Sequence, residues 1–179
     1  MRRTAIILIV IALVGGSCRK KPAPPTSVDI QNKVAVRSIQ LFYESPEMTL
    51  VPELRTVSLP ENPAAALPLI LRELLKGPAS ASTPHLLPSD TTIRGAYLLP
   101  EGTAVVDLGG ATLTSGWATG SHQELMAIDS IVRTATSNVT EIKRVRILIN
   151  GTPAETLGGH ISLARSLLPR PVTSAATSR

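Results

Sequence analysis

The spacing of apolar residues divides the chain into two helical stretches set among extended ones. In the first helical stretch Leu67, Ile70, Leu71, Leu74 and Leu75 form one stripe. Asn62-Pro63 opens it as a cap followed by a first-turn proline, Pro68 lies where a proline is still tolerated, and Gly77-Pro78 stops it, so a helix is predicted to about Lys76. In the second, Leu125, Ile128, Ile131, Val132 and Ala135 recur on one face. Ser121 followed three residues later by Glu124 reads as a capping box, and Asn138 sits where the helix would end. The extended stretches are 34–43, 50–59, 92–99 and 103–108, and then Val145, Ile147 and Ile149 alternating with Arg144, Arg146 and Leu148. Pro52 predicts an edge position or a bulge in the second of them. Pro100-Glu101-Gly102 joins the third and fourth as a hairpin, with Val105 and Asp107 facing one way and Val106 and Leu108 the other.

Asn150-Gly151 is a strong hairpin signal because both turn residues tolerate positive φ, and a short return strand is expected at 154–157, ahead of Gly158-Gly159-His160. The stretch 120–163 therefore reads as one supersecondary unit against which earlier elements pack. The order strand, strand, helix, strand, strand, helix, strand, short strand predicts an α+β fold, a mixed sheet with two helices on one face. Between these elements lie a polar loop at 79–90 and a Gly/Thr/Ser-rich loop at 109–120, which holds the single tryptophan, Trp117.

The N-terminus changes the picture more than overall composition does. Met1-Arg2-Arg3 is a short basic region, and Thr4 to Val14 is an apolar run too short to span a bilayer as a helix. Gly15-Gly16-Ser17 then precedes Cys18, the sole cysteine. This resembles the bacterial lipoprotein signal, with Gly15 where a Leu is usual, and implies cleavage before Cys18, lipidation of its side chain and a palmitate-bearing anchor. The alternatives are an ordinary secretory signal or a short N-terminal anchor. Two or more acyl chains suffice for stable membrane attachment. The expected organisation is a signal peptide at 1–17, a lipid anchor and Pro-rich tether at 18–34, one domain at 35–168 and a disordered tail at 169–179. A lone cysteine leaves no intramolecular disulfide to form.

The chain carries a formal charge of +5; its 18 basic residues less Arg2 and Arg3 leave 16 against 13 acidic, or +3. Arg19, Lys20 and Lys21 stand beside the anchor, where they would meet lipid head groups. Export and an aromatic content of only 2 % argue against a nucleic-acid partner and against an aromatic sugar-binding platform.

An ordered set of motifs points to a family. Val105-Val106-Asp107-Leu108-Gly109 matches a strand ending in a "VDLS"-like turn, and Glu124 matches a Glu early in the second helix. Ile131 to Ala135 follows a "V-x-T/S-L" segment with Ala135 in place of Leu, and Ile142 to Gly151 follows "V-x-x-V-x-I-L-I-x-G". Glu155 to Ser162 follows "E-T-L-x-G-H-x-D", with Ser162 in place of Asp, and Leu74 to Pro78 fits a helix ending in L-x-G-P. Together these resemble the GerMN domain, the sporulation and spore germination family, over roughly residues 36–168. The resemblance implies a fold similar to small βαββα ring-building modules and a non-enzymatic envelope role, often as a lipoprotein.

Candidate chemistry is sparse. His85, His122 and His160 lack metal-ligand spacing, there is no nucleophile elbow, and neither a metal nor a cofactor is expected. Asp107, Glu124 and His160 could act together only if the fold brought their loops into one place. Otherwise Glu124 is a helix-cap carboxylate, Asp107 binds the backbone of the adjoining turn, and His160 pins the turn made by Gly158 and Gly159. Trp117 is either an exposed contact residue or a buried loop anchor. Arg144 and Arg146 line the solvent side of their strand or a partner-facing patch. The expected protein is a membrane-anchored envelope lipoprotein, on the outer face of the cytoplasmic membrane or at the outer membrane. It would bind an envelope protein or itself, with Trp117, Arg144, Arg146 and His160 as candidate contacts. The alternative is a peptidoglycan-binding module or cell-wall-active enzyme.

Overall fold

Each stretch of regular periodicity becomes an element in the computed structural model, which describes residues 33–115, 117 and 120–170. The expected signal peptide, Cys18, the expected tether as far as residue 32 and the expected tail from residue 171 lie outside the described residues. The elements are β1 (Val34–Glu44), β2 (Leu50–Pro60), α1 (Pro63–Leu75), β3 (Thr92–Leu98), β4 (Thr103–Gly109), α2 (Ala111–Thr114), α3 (Ser121–Asn138), β5 (Arg144–Ile149) and β6 (Thr152–Pro153). The α+β class and element order are those the pattern predicts, with α2 added inside the Gly/Thr/Ser-rich loop.

The strands divide into two sheets rather than one. The antiparallel hairpin β1–β2 stands apart from a mixed sheet of order β3-β4-β5-β6. In the mixed sheet β4 and β5 run parallel, joined through α3, and the other neighbours are antiparallel. Ala104, Val106 and Leu108 of β4 share a buried face with Val145, Ile147 and Ile149 of β5, and α1 and α3 join them in one core. Val105 and Asp107 take the opposite face, as their alternation predicts.

What keeps the hairpin separate is α3. Asn138 accepts from the Gln40 amide through Oδ1 at 2.8 Å and donates to the Gln40 carbonyl through Nδ2 at 2.7 Å. Thr134 Oγ1 accepts from the Phe42 amide at 3.2 Å, and Ser130 Oγ donates to the Phe42 carbonyl at 2.6 Å. Three polar side chains at i, i+4 and i+8 thus take the outward groups of Gln40 and Phe42, where a further strand would pair along that half of β1.

Helix α1 is bounded as its sequence implies. Asn62 Oδ1 accepts from the Ala64 amide at 2.9 Å, and Gly77 leaves the helix at φ +87°, a left-handed conformation that favours glycine. Its last carbonyls are met from the hairpin. Arg55 donates to Glu73 O at 3.0 Å and Gly77 O at 2.9 Å, and the Tyr43 hydroxyl lies 3.0 Å from Leu74 O and 2.9 Å from Gly77 O, sharing its proton between them. Burial pushes the Tyr43 hydroxyl up to about 12, so it remains a donor. Replacing Tyr43 with Phe is expected to cost about 1 kcal/mol, one net hydrogen bond. Urea unfolding checks this, and an unchanged midpoint would mean that Arg55 at Gly77 O and the Gly77 amide at Leu74 O satisfy those carbonyls without it.

The return strand differs from expectation. Pairing after the Asn150-Gly151 turn, whose residues have φ +50° and +81°, covers only Thr152 and Pro153 instead of 154–157. Beyond Pro153 the chain is drawn toward the first turn of α3, where the Leu157 and Gly158 amides donate to Glu124, and Leu167 rather than the return strand pairs with Val145. Among the described residues no helix is long and apolar enough to cross a membrane.

Candidate functional site

The residues singled out by motif gather around the start of α3 and the loop that follows β6. Glu124 lies in the first turn of α3, yet its side chain is fully buried at 0 % exposure. Oε1 accepts from the amides of Leu157 at 3.0 Å and Gly158 at 2.8 Å, while Oε2 accepts from the amide of His160 at 2.8 Å. The His160 ring reaches the same oxygen through Nδ1 at 3.2 Å. A carboxylate that accepts several amides is held ionised. Burial pushes the Glu124 carboxyl up, but the hydrogen bonds from Gly158, His160, Ile161 and Leu157 outweigh it and hold the group below the ordinary carboxylate range.

The loop is closed around this anion from both sides. Thr156 Oγ1 accepts from the Gly159 amide at 3.1 Å, and the Leu163 amide donates to Glu155 O at 2.7 Å. Leu157 and Leu163 send their side chains into the core. The carboxylate therefore organises a backbone nest, as an anion does in other concave runs of amides.

This corrects the reading of Ser121 and Glu124 as a capping box. The N-cap is Gly120, with no side-chain cap bond, and Ser121 is the first helical residue. Glu124 cannot reach back to the cap because its oxygens are engaged across the fold. Asp107 also binds backbone, though not that of the turn it precedes. Its Oδ1 accepts from Gly151 at 2.8 Å, in the turn between β5 and β6, and its Oδ2 from Arg94 Nε at 3.1 Å.

The fold brings Glu124 and His160 together and leaves Asp107 in a separate hydrogen-bond system. A pair of titratable groups in contact is one signature of a reacting site, but here the carboxylate has no exposed surface and its oxygens accept from main-chain amides. That arrangement suits holding a loop better than moving a proton to or from a substrate. Among the described residues no three His, Cys, Asp or Glu side chains gather in a way that could hold a metal ion.

The four candidate contact residues fall in different settings. Trp117 is partly buried against the core and lines an open cleft of about 500 Å³ with Thr114, Thr156 and the Gly158-Gly159 turn. The His160 ring is about half exposed on the side away from Glu124. Arg144 is exposed at the start of β5, and Arg146 donates to Ala164 O at 2.6 Å, which spends part of its guanidinium on the chain's own loop. Sequence reasoning missed Ser130, Thr134 and Asn138. Their signal was a polar row at four-residue spacing beside the apolar stripe of α3.

Comparison with known proteins matches residues 40–155 to the family model Germane, described as sporulation and spore germination. Among solved structures the chain is similar to a candidate lipoprotein from Clostridium perfringens, with 16 % identity and a TM-score of 0.53 over 74 % of this chain and 87 % of that one. It is also similar to the tandem GerMN domains of the sporulation protein GerM from Bacillus subtilis, with 19 % identity and a TM-score of 0.52 over 76 % of this chain and 47 % of that one. The first GerMN domain of GerM gives 19 % identity and a TM-score of 0.50 over 75 % and 98 %. At these identities the likeness is one of fold. No curated protein matches the chain.

Proposed function

The chain belongs to the sporulation and spore germination family, and from that membership we propose that it is a membrane-anchored envelope lipoprotein, held by lipid on Cys18. Its domain acts without catalysis, by binding an envelope protein or a second copy of itself. The observation that carries this reading is the fate of the two motif carboxylates. The oxygens of Glu124 accept from main-chain amides and the His160 ring, and those of Asp107 from a main-chain amide and Arg94, so both hold loops in place. Trp117, Arg144, Arg146 and His160 are the candidate contacts, all reachable from solvent to some degree. The likeness in fold to a candidate lipoprotein supports the anchor.

A second reading, peptidoglycan binding, draws on one observation: the open cleft beside Trp117 is lined also by Thr114, Thr156 and the Gly158-Gly159 turn. Crosslinking in native membranes, comparing the wild type with Cys18→Ser, separates the two. The association reading expects crosslinked protein species that depend on Cys18. Monomer alone, together with retention of the purified protein on isolated peptidoglycan, would replace it with the glycan reading.

A further inference from the structure

The β1–β2 hairpin leaves the edge of β2 open along its length, and its geometry says what fits there. Residues pair so that their numbers sum to a constant through the whole hairpin, without a bulge, from Val34↔Pro60 to Glu44↔Leu50. Ser45 donates to Thr49 O at one end and Glu61 to Lys33 O at the other, so the odd-numbered pairs exchange backbone bonds and the even-numbered residues turn their amides and carbonyls outward. On β1 that outward row includes Gln40 and Phe42, which α3 satisfies. On β2 it is Pro52, Leu54, Thr56, Ser58 and Pro60. β2 pairs only with β1, and among the described residues nothing bonds the backbone of Leu54, Thr56 or Ser58.

Open edges are ordinarily blunted by charge, proline or a bulge. Here the outward row between the prolines holds no charge, and its Leu54 is 70 % exposed, with Val36 of β1 73 % exposed on the same face. The two prolines stand at equal distances from Thr56. A second β2 laid antiparallel about a two-fold axis at Thr56 sets Thr56 against its own copy and Leu54 against Ser58 in both directions. Each of these three pairs exchanges two backbone bonds, and the ladder ends where Pro52 meets Pro60 and neither has an amide to offer. Shifting the register by two residues puts Pro52 opposite Ser58 and strands a carbonyl. On the other face Glu53 falls opposite Leu59 and Arg55 opposite Val57, so no like charges are opposed. α3 occupies the outward row of β1 at Gln40 and Phe42, which bars a further strand along that half, and the two-fold joins two hairpins as an isologous pair of four strands.

We propose that the edge of β2 between Pro52 and Pro60 is a self-association surface, on which a second copy of this chain adds its own β2 antiparallel about Thr56. This rests on the association reading above and names the partner.

The test uses the full chain in its native membrane, with the photo-crosslinking residue p-benzoylphenylalanine placed at Leu54 or, in a separate chain, at Arg144. The expected result from Leu54 is a species of twice the chain mass in which peptides from two β2 strands are joined. Thr56→Pro should lower its yield at least tenfold. That variant spares the β1–β2 ladder, because Thr56 belongs to the same outward row as Pro52 and Pro60. Leu54 is free in that variant to carry the probe, and Ser58→Lys, which adds charge without touching the backbone, should lower the yield as well. An adduct to a different protein at Leu54, or a yield unchanged by both variants, overturns the self-pairing. Adducts from Arg144 with none from Leu54 overturn this surface while leaving association standing. No adduct from either position overturns both.

Discussion

Replacing Glu124 with Ala will cost about 3–5 kcal/mol of stability, the largest effect expected of any single polar change in this protein. The side chain is fully buried, and its removal strands the amides of Leu157, Gly158 and His160, which now lie 2.8–3.0 Å from its oxygens. Each unpaired donor costs roughly 1–3 kcal/mol less whatever water can enter, and the vacated volume adds a cavity term. Glu124→Gln keeps one acceptor oxygen but turns an NH2 toward the other donors, so about 2–3 kcal/mol is expected. Urea unfolding at neutral pH measures both, and hydrogen exchange should show the loss of protection concentrated at residues 157–160. Midpoints within about 0.5 kcal/mol of the wild type, the range of an ordinary surface change, would mean that the loop holds itself.

The same carboxylate gives acid unfolding a defined sign. Its folded-state pKa lies below the ordinary carboxylate range, so its contribution is fully present above the unfolded value and is lost as pH falls through the folded one. Wild-type stability should therefore decline below about pH 4.5 more steeply than that of Glu124→Gln, and the gap between them should narrow with acidification. Equal slopes in the two proteins would place the acid sensitivity elsewhere.

The second large effect is expected at the seam between α3 and β1. In a Ser130→Ala, Thr134→Val double variant the Phe42 carbonyl loses its donor and the Phe42 amide its acceptor, both in a buried setting. The expected loss is about 2–4 kcal/mol, with the two changes coupled because both act on one residue of β1. Asn138→Ala should cost less, since Gln40 is exposed and water can take the place of the amide. Hydrogen exchange at Phe42 separates this from general loosening: its protection should fall well before that of Leu41, whose amide faces β2. A double variant as stable as the wild type would show that apolar packing alone seats the hairpin.

Local signals carried much of the architecture. Asn62-Pro63 and Gly77 bound α1 because a cap oxygen, a fixed φ and a tolerated left-handed turn act within a few residues. Asn150-Gly151 makes its turn for the same reason, and the alternation of β4 and β5 survives because a single covered face demands period two. Where a local and a long-range use competed for one residue, local reading went astray. Glu124 satisfies the spacing of a capping box, yet its oxygens go to amides more than thirty residues away. The expected return strand at 154–157 becomes the rim of that nest.

The sequence by itself determined the two long helices and the five long strands, their ends to within a residue or so, and which face of each is apolar, since these follow from propensity, capping and periodicity over a few residues. Only the tertiary structure decided that the strands form two sheets, because a polar row on α3, rather than another strand, takes the outward bonds of β1. It decided, too, that the motif carboxylates hold loops, because hydrogen-bond partners for a buried charge are chosen among groups distant in the chain and close in space.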